Sequence, residues 1–292
     1  MICITGAGGT VGSEVVKQLE STNAPFRVAH FSNEKAETSR ARGLEAVVVD
    51  YSRPATLAEA FRGCNKLFLL GPNALNQTQL ELNAVEAAKA AGVQHIVKQS
   101  VMGAEEESYS LANVHRPVEK AIESSGLTWT FLRPNSFMQN LATFMSESIK
   151  AEGVFYSASG EAKISHVDVR DIAAVAAQAL TVSAHERKAY TLSGPEALTY
   201  GEVAETLSSV LERPISHVSL PSNDLQQALL AEGMPEGLAD RMLDLERYFR
   251  EGRASLVSND VKLVTGCDPR SFPGYLREAA VTGIWDIECI GE

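Results

Sequence analysis

The first twelve residues, MICITGAGGTVG, limit what this chain can fold into more than any other stretch. Ile2, Cys3 and Ile4 form a short apolar run that Thr5 and Gly6 break; Val11, Val15, Val16 and Leu19 then recur at helical spacing. That order reads as a strand, a tight turn and a helix. Gly6, Gly9 and Gly12 stand three apart, so the turn can take positive φ and a phosphate can approach the backbone without meeting a Cβ. The helix opening near Thr10 or Val11 aims its free N–H groups and positive dipole end at the same place. A glycine triplet alone would only punctuate a loop. Between an apolar strand and an amphipathic helix it predicts a dinucleotide cradle, with Gly6, Gly9, Thr10, Val11 and Gly12 against the pyrophosphate.

The alternation continues. Strands are expected at 26–31, 46–49, 66–70, 95–99 and 128–132, with helices at 34–42, 54–61, 77–91 and 112–124 between them. Six strands joined by helices and short connections predict an α/β fold, a doubly wound parallel sheet occupying residues 1–152. Ligands of such sheets lie across the carboxyl ends of the strands. Past Arg133-Pro134 the strict alternation fails. An alanine-rich helix over 168–181 is expected to return to the sheet, and 153–167 with 182–292 to form a smaller, mostly helical substrate-binding lobe.

Composition narrows the partners. A net charge of −11 without a clustered basic face argues against nucleic acid. No run of about 18 apolar residues exists to span a membrane. Met1 leads straight into the first strand with no basic segment ahead of an apolar one, so no secretory signal is read and a cytoplasmic location is expected. Cys3, Cys64, Cys267 and Cys289 are far apart and form no C-x-x-C pair, which reads as reduced thiols with neither metal nor disulfide framework. The partner left is a small molecule; the oligomeric state stays open.

The end of the second strand chooses between nicotinamide cofactors, because an acid there would bind ribose hydroxyls and repel a 2′-phosphate. The chain has His30-Phe31-Ser32-Asn33, with no acid before Glu34, and Phe31, Ser32 and Lys35 are taken as contacts. NADP(H) is preferred and NAD(H) remains possible; the alternative is that Lys35 is an ordinary solvated helix residue. Asp50, ending the third strand, is placed to accept from the adenine amino group with Tyr51 beside it, although aspartates there also form turns. Leu70, Gly71 and Pro72, closing the fourth strand, would pass near the adenosine ribose and pyrophosphate, or simply terminate the strand.

TGAGGTVG, VVVDYSRPATLAEAF, AAKAAGVQHIVKQS, HRPVEKAIESSGLTWTFLRPNSFMQN and ISHVDVRDIA together resemble the NmrA-like, atypical branch of the short-chain dehydrogenase/reductases, especially its triphenylmethane reductase and NADPH:quinone oxidoreductase type. The resemblance implies an NADP(H)-binding Rossmann domain and a small C-terminal lobe. It also implies that Ser100, Val101, Pro134, Asn135 and Phe137 lie near the nicotinamide. One departure stands out. Reductases of the wider superfamily carry a Tyr-x-x-x-Lys pair that protonates a carbonyl; here the lysine position is His115, and Leu111 stands four residues before it. Substrates that take hydride without an obligatory enzyme acid, such as quinones and cationic dyes, therefore suit the chain better than simple carbonyls. His115 is the candidate catalytic residue, with a plain helix residue at the cleft wall as its alternative; Tyr109 is a weaker acid candidate, expected at the surface. His166, Asp168 and Asp171 are read as structural. The expected function is an NAD(P)H-dependent reductase of a small conjugated electrophile. The rival is a dinucleotide-binding redox sensor without turnover, and an isomerase or dehydratase is weaker still.

Overall fold

The computed structural model describes residues 1–286; Cys289 lies outside them. Its strands are β1 (Ile2–Ile4), β2 (Phe26–His30), β3 (Glu45–Val48), β4 (Lys66–Leu69), β5 (His95–Gln99), β6 (Thr128–Pro134), β7 (Val154–Ser157), β8 (Lys188–Leu192) and β9 (Ser216–Ser219). The first helices are α1 (Thr10–Glu20), α2 (Asn33–Ala41), α3 (Pro54–Phe61), α4 (Gln77–Ala90) and α5 (Ser110–Ser124). They are followed by α6 (Asn140–Phe144), α7 (Ser146–Glu152), α8 (Val169–Thr181) and α9 (Tyr200–Leu211). The last are α10 (Ser222–Ala231), α11 (Glu236–Arg250), α12 (Asp260–Thr265) and α13 (Phe272–Ala280).

Two compact units divide the chain. The first is assembled from residues 1–134, 169–192 and 260–267. Among the described residues it holds a seven-stranded sheet in the order β3-β2-β1-β4-β5-β6-β8, every neighbouring pair parallel. This is the Rossmann-type, doubly wound arrangement. Strand alternation gives the sheet two apolar faces. Cys3, Leu67, Leu69, Ile96 and Phe131 pack with Leu57, Phe61, Val85, Val118 and Ile122 of α3, α4 and α5, while α1 packs on α8.

The sequence expectation counted six strands and placed the boundary at 152. The seventh strand is β8, which pairs with β6 from Thr130↔Lys188 to Pro134↔Leu192. Its sequence, KAYTL, is short and half-exposed, so it lacks the continuous apolar run that marks the central strands. One of its backbone donors is taken up from outside the sheet: the Asp260 carboxylate of α12 accepts from the Thr191 N–H at 2.8 Å. Residues 135–152 group with the second unit, because the chain leaves the sheet directly after Pro134.

The second unit comprises residues 135–168, 193–259 and the described residues from Asp268 onward. It contains a parallel pair, β7 with β9, in register from Val154↔Ser216 to Ser157↔Ser219. Around it lie α6, α7, α9, α10, α11 and α13. The capping box of α9, in which Thr199 and Glu202 bond each other's backbone N–H, fixes where that helix starts. Among the described residues no helix is long and apolar enough to cross a membrane.

Candidate active site

The turn between β1 and α1 has the backbone of a phosphate cradle. Gly6 sits at φ +65°, and the Gly9 N–H donates to its carbonyl at 2.9 Å. A Cβ on Gly12 would fall 2.1 Å from that same oxygen, so only glycine is tolerated. The N-cap of α1, Gly9, offers no side chain to the helix, and the first turn carries no acid. The exposed stretch Gly8–Thr10 thus ends in helix N–H groups that no side chain caps, the donor set an anionic diphosphate needs. Val11 is buried and anchors the helix from below.

Thr5 ties this turn to β4: its hydroxyl donates to Phe68 O at 2.9 Å and accepts from the Leu70 N–H at 3.0 Å. Leu70 lies against Gly6, 3.0 Å from where a Cβ would stand. Tyr51 is buried, and its hydroxyl donates to Leu70 O at 2.9 Å, so it braces the strand ends from inside the unit. Asp50 forms an Asx turn, accepting from Ser52 N–H (2.9 Å) and Ser52 Oγ (2.6 Å); these bonds hold its carboxyl below the usual range. Pro72 is exposed.

At the end of β2, Phe31 is 78% exposed and Ser32 is the N-cap of α2. The Lys35 ammonium reaches Gly8 O at 3.5 Å, so the first turn of α2 leans over the glycine turn. His30, not singled out from sequence, is buried there with Nε2 2.8 Å from Ser39 Oγ. Burial, and then the Lys35 charge, push its imidazole below the ordinary range.

Behind these strand ends lies a charged cluster that sequence reading missed. Lys98 of β5 is fully buried, and its ammonium makes three bonds: to Glu81 Oε2 of α4 at 2.5 Å, to Gln99 O at 2.9 Å and to His115 Nδ1 of α5 at 3.1 Å. Glu81 is also fully buried; its Oε1 accepts from the Gly71 N–H at 3.1 Å and from Gln77 Nε2 at 3.2 Å. A Cβ on Gly71 would meet Glu81 Oε1 at 2.4 Å, so the space that glycine leaves is taken by this carboxylate. An ammonium only donates, so His115 Nδ1 carries a lone pair and the ring proton sits on Nε2. His115 is 9% exposed. A lysine inside the strand HIVKQ, buried at all five positions, was the available signal.

The ends of β5 and β6 meet in a second network. Arg133 clamps Glu119 of α5 with Nε–Oε1 at 3.1 Å and Nη2–Oε2 at 2.8 Å, and also pairs with Glu105; Arg116 pairs with Glu119 and Glu123. Burial drives the Glu119 carboxyl upward, but Arg133 and Arg116 outweigh it and the net shift is down. Ser100 is buried, its N–H donating to Leu132 O at 2.7 Å; Val101 follows, partly exposed; Pro134 O accepts from the Met102 N–H. Asn135 and Phe137 belong to the second unit. There Asn135 Nδ2 donates to Ser165 Oγ and Ala254 O, and Phe137 bridges to Val167. Tyr109 is buried, correcting the surface expectation, and its hydroxyl donates to Met102 O at 2.6 Å. His166 is buried among Tyr200 and Phe272, with its pKa pushed down to about 4 by burial.

The sheet order, the glycine turn and the uncapped α1 terminus define a Rossmann-type α/β protein built to hold a diphosphate. The chain belongs to the NmrA-like family, whose model matches residues 1–272. It is 38% identical over 281 residues to the NAD(P)H azoreductase of Xenophilus azovorans, covering 96% of this chain and 98% of that protein. An NADPH-dependent quinone oxidoreductase from Escherichia coli, solved with NADPH, superposes with a TM-score of 0.88 at 29% identity, covering 96% of this chain and all of that one. The Citrobacter sp. triphenylmethane reductase with NADP(H) gives 0.87 at 28% identity, with the same coverage of this chain and 100% of its own.

Proposed function

We propose that this protein is an NADP(H)-dependent reductase of small conjugated electrophiles, quinones and cationic dyes among them. The observation that carries this reading is the uncapped N-terminus of α1 facing a turn in which Gly12 admits no Cβ. Its support from relatives is that those named above reduce azo compounds, quinones or triphenylmethane dyes with nicotinamide cofactors. Gly6, Gly9, Thr10, Val11 and Gly12 would hold the diphosphate; Phe31, Ser32 and Lys35 the 2′-phosphate end; Asp50, Tyr51, Leu70, Gly71 and Pro72 the adenosine side. Ser100, Val101, Pro134, Asn135 and Phe137 are proposed for the nicotinamide end. A bound reduced nicotinamide supplies hydride.

The chain's own contribution is positioning, with His115 as a hydrogen-bond donor through Nε2. Glu81 and Lys98 hold that ring from behind. The free thiols of Cys3, Cys64 and Cys267 suit a reducing cytoplasm.

The test is spectrophotometric: purified protein, NADPH and a panel of quinones, azo compounds and triarylmethane dyes, followed at the reduced-cofactor absorbance. Turnover of at least one class is expected; tight NADPH binding with no turnover across the panel would instead support a redox sensor. Lys35→Ala should weaken NADPH about tenfold by calorimetry while leaving NADH nearly unchanged, because one charge-assisted phosphate contact is worth roughly 1.5 kcal/mol.

A further inference from the structure

We propose that Lys98 is the proton reserve for His115 and that Glu81 holds it in place, so that the chain protonates reduced acceptors without a Tyr-x-x-x-Lys pair. This rests on the reductase reading. The geometry is specific: all three ammonium protons of Lys98 have acceptors, namely Glu81 Oε2, Gln99 O and His115 Nδ1. The imidazole is therefore neutral with its proton on Nε2. Such a ring conducts a proton through itself. When hydride reaches a quinone, one oxygen gains negative charge; the Nε2–H bond breaks as an O–H bond forms there, and Nδ1 takes a proton as a Lys98 Nζ–H bond breaks. The electron pair that reduces the acceptor comes with the hydride, and the relay moves protons alone. Lys98 is left neutral beside the Glu81 carboxylate; after the product leaves, a proton from solvent adds to Nε2 and the Nδ1 proton passes back to Lys98, which restores both groups.

Two features mark the cluster as more than a packing device. Burying an ion pair completely in a strand and helix is costly unless every donor and acceptor is used, and here Glu81 Oε1 is occupied by Gly71 N–H and Gln77 Nε2 as well. The third ammonium proton is spent on an imidazole and not on a backbone carbonyl, which packing alone does not ask for. Glu81 and Lys98 are positioning and reserve residues; neither is proposed to touch the acceptor.

The relay separates two acceptor classes. A neutral quinone needs one hydride and one proton to reach the hydroquinone, whereas a cationic triarylmethane dye becomes neutral on hydride alone. The decisive variant is Lys98→Met combined with Glu81→Gln, which leaves no lone buried charge. Its ratio of quinone to dye kcat should fall about 100-fold, the ordinary contribution of a positioned acid, with little change in the KM for either. Independently, long-range proton–nitrogen NMR of the wild-type protein without cofactor should show His115 as the Nε2–H tautomer, and the double variant should show a mixture.

An unchanged quinone-to-dye ratio, or an Nδ1–H tautomer in the wild type, overturns the relay. Wild-type protein that turns over no acceptor of the panel, azo compounds included, overturns the reductase reading itself, and the relay with it, whatever the tautomer.

Discussion

A methyl group at Gly12 would stand 2.1 Å from the Gly6 carbonyl oxygen, far inside contact distance. Gly12→Ala must push α1 away from the turn, and a large fall in NADPH affinity by calorimetry is the expected result. The clash at Gly71 has a different character, because what it meets is the tip of a side chain. Gly71→Ala should displace the Glu81 carboxylate, lowering stability by roughly 1–3 kcal/mol in urea unfolding, the usual range for overpacking. Glu246 is the mirror case in the second unit: burial pushes its carboxyl up to about 7, and Oε2 has no partner. A raised carboxyl binds its proton in the folded state after the unfolded chain has lost it. Stability is therefore lost as pH climbs from the unfolded value of 4.5 toward about 7. Glu246→Gln removes that loss and should gain on the order of 2–3 kcal/mol at pH 8, with little change at pH 5.

Among the elements, α5 is held from two sides. Thr78 of α4 donates to its Val114 carbonyl at 2.9 Å, and Arg133 of β6 clamps its Glu119. Arg133→Met leaves the fully buried Glu119 with Arg116 alone, and a loss of about 3 kcal/mol is expected, near the low end for breaking a buried pair. The helix carrying His115 should loosen first, visible as faster amide exchange in α5. Most of these elements were legible before the fold was known. The central strands are apolar runs ended by glycine or turn residues, and predicted and observed bounds agree within a few residues. What escaped was of two kinds. β8 is short and half-exposed, so no run of apolar residues announces it as a seventh strand of the sheet. Lys98 and Glu81 are 17 residues apart and meet only because β5 and α4 are packed together; periodicity can place each on an element but cannot say that they touch. The glycine turn, by contrast, is local, and local backbone requirements are what sequence displays best.

For the molecule as a whole, the two units share one acid sensitivity. Burial pushes His95 in the sheet and His166 in the second unit down to about 4. His95 is wedged between Thr128 Oγ1 at 2.9 Å and Thr130 Oγ1 at 3.1 Å. A depressed imidazole contributes fully above the unfolded value of 6.5, and that contribution drains away as pH falls through the window down to about 4. Unfolding midpoints in urea should drop steeply between pH 6.5 and 4.5, in the direction opposite to the Glu246 effect, with each histidine costing about 1.4 kcal/mol per pH unit at full slope. The Asp260–Thr191 bond carries a consequence for biogenesis. β8 is one of the two edge strands of the sheet, and the carboxylate that occupies its Thr191 N–H comes from a piece of chain nearly 70 residues further on. A ribosome must therefore translate through α12 before that border is masked, and until then it is a template for any passing strand. Chains cut just before Asp260 should precipitate in the cell, while those extending through Cys267 stay in the supernatant more readily.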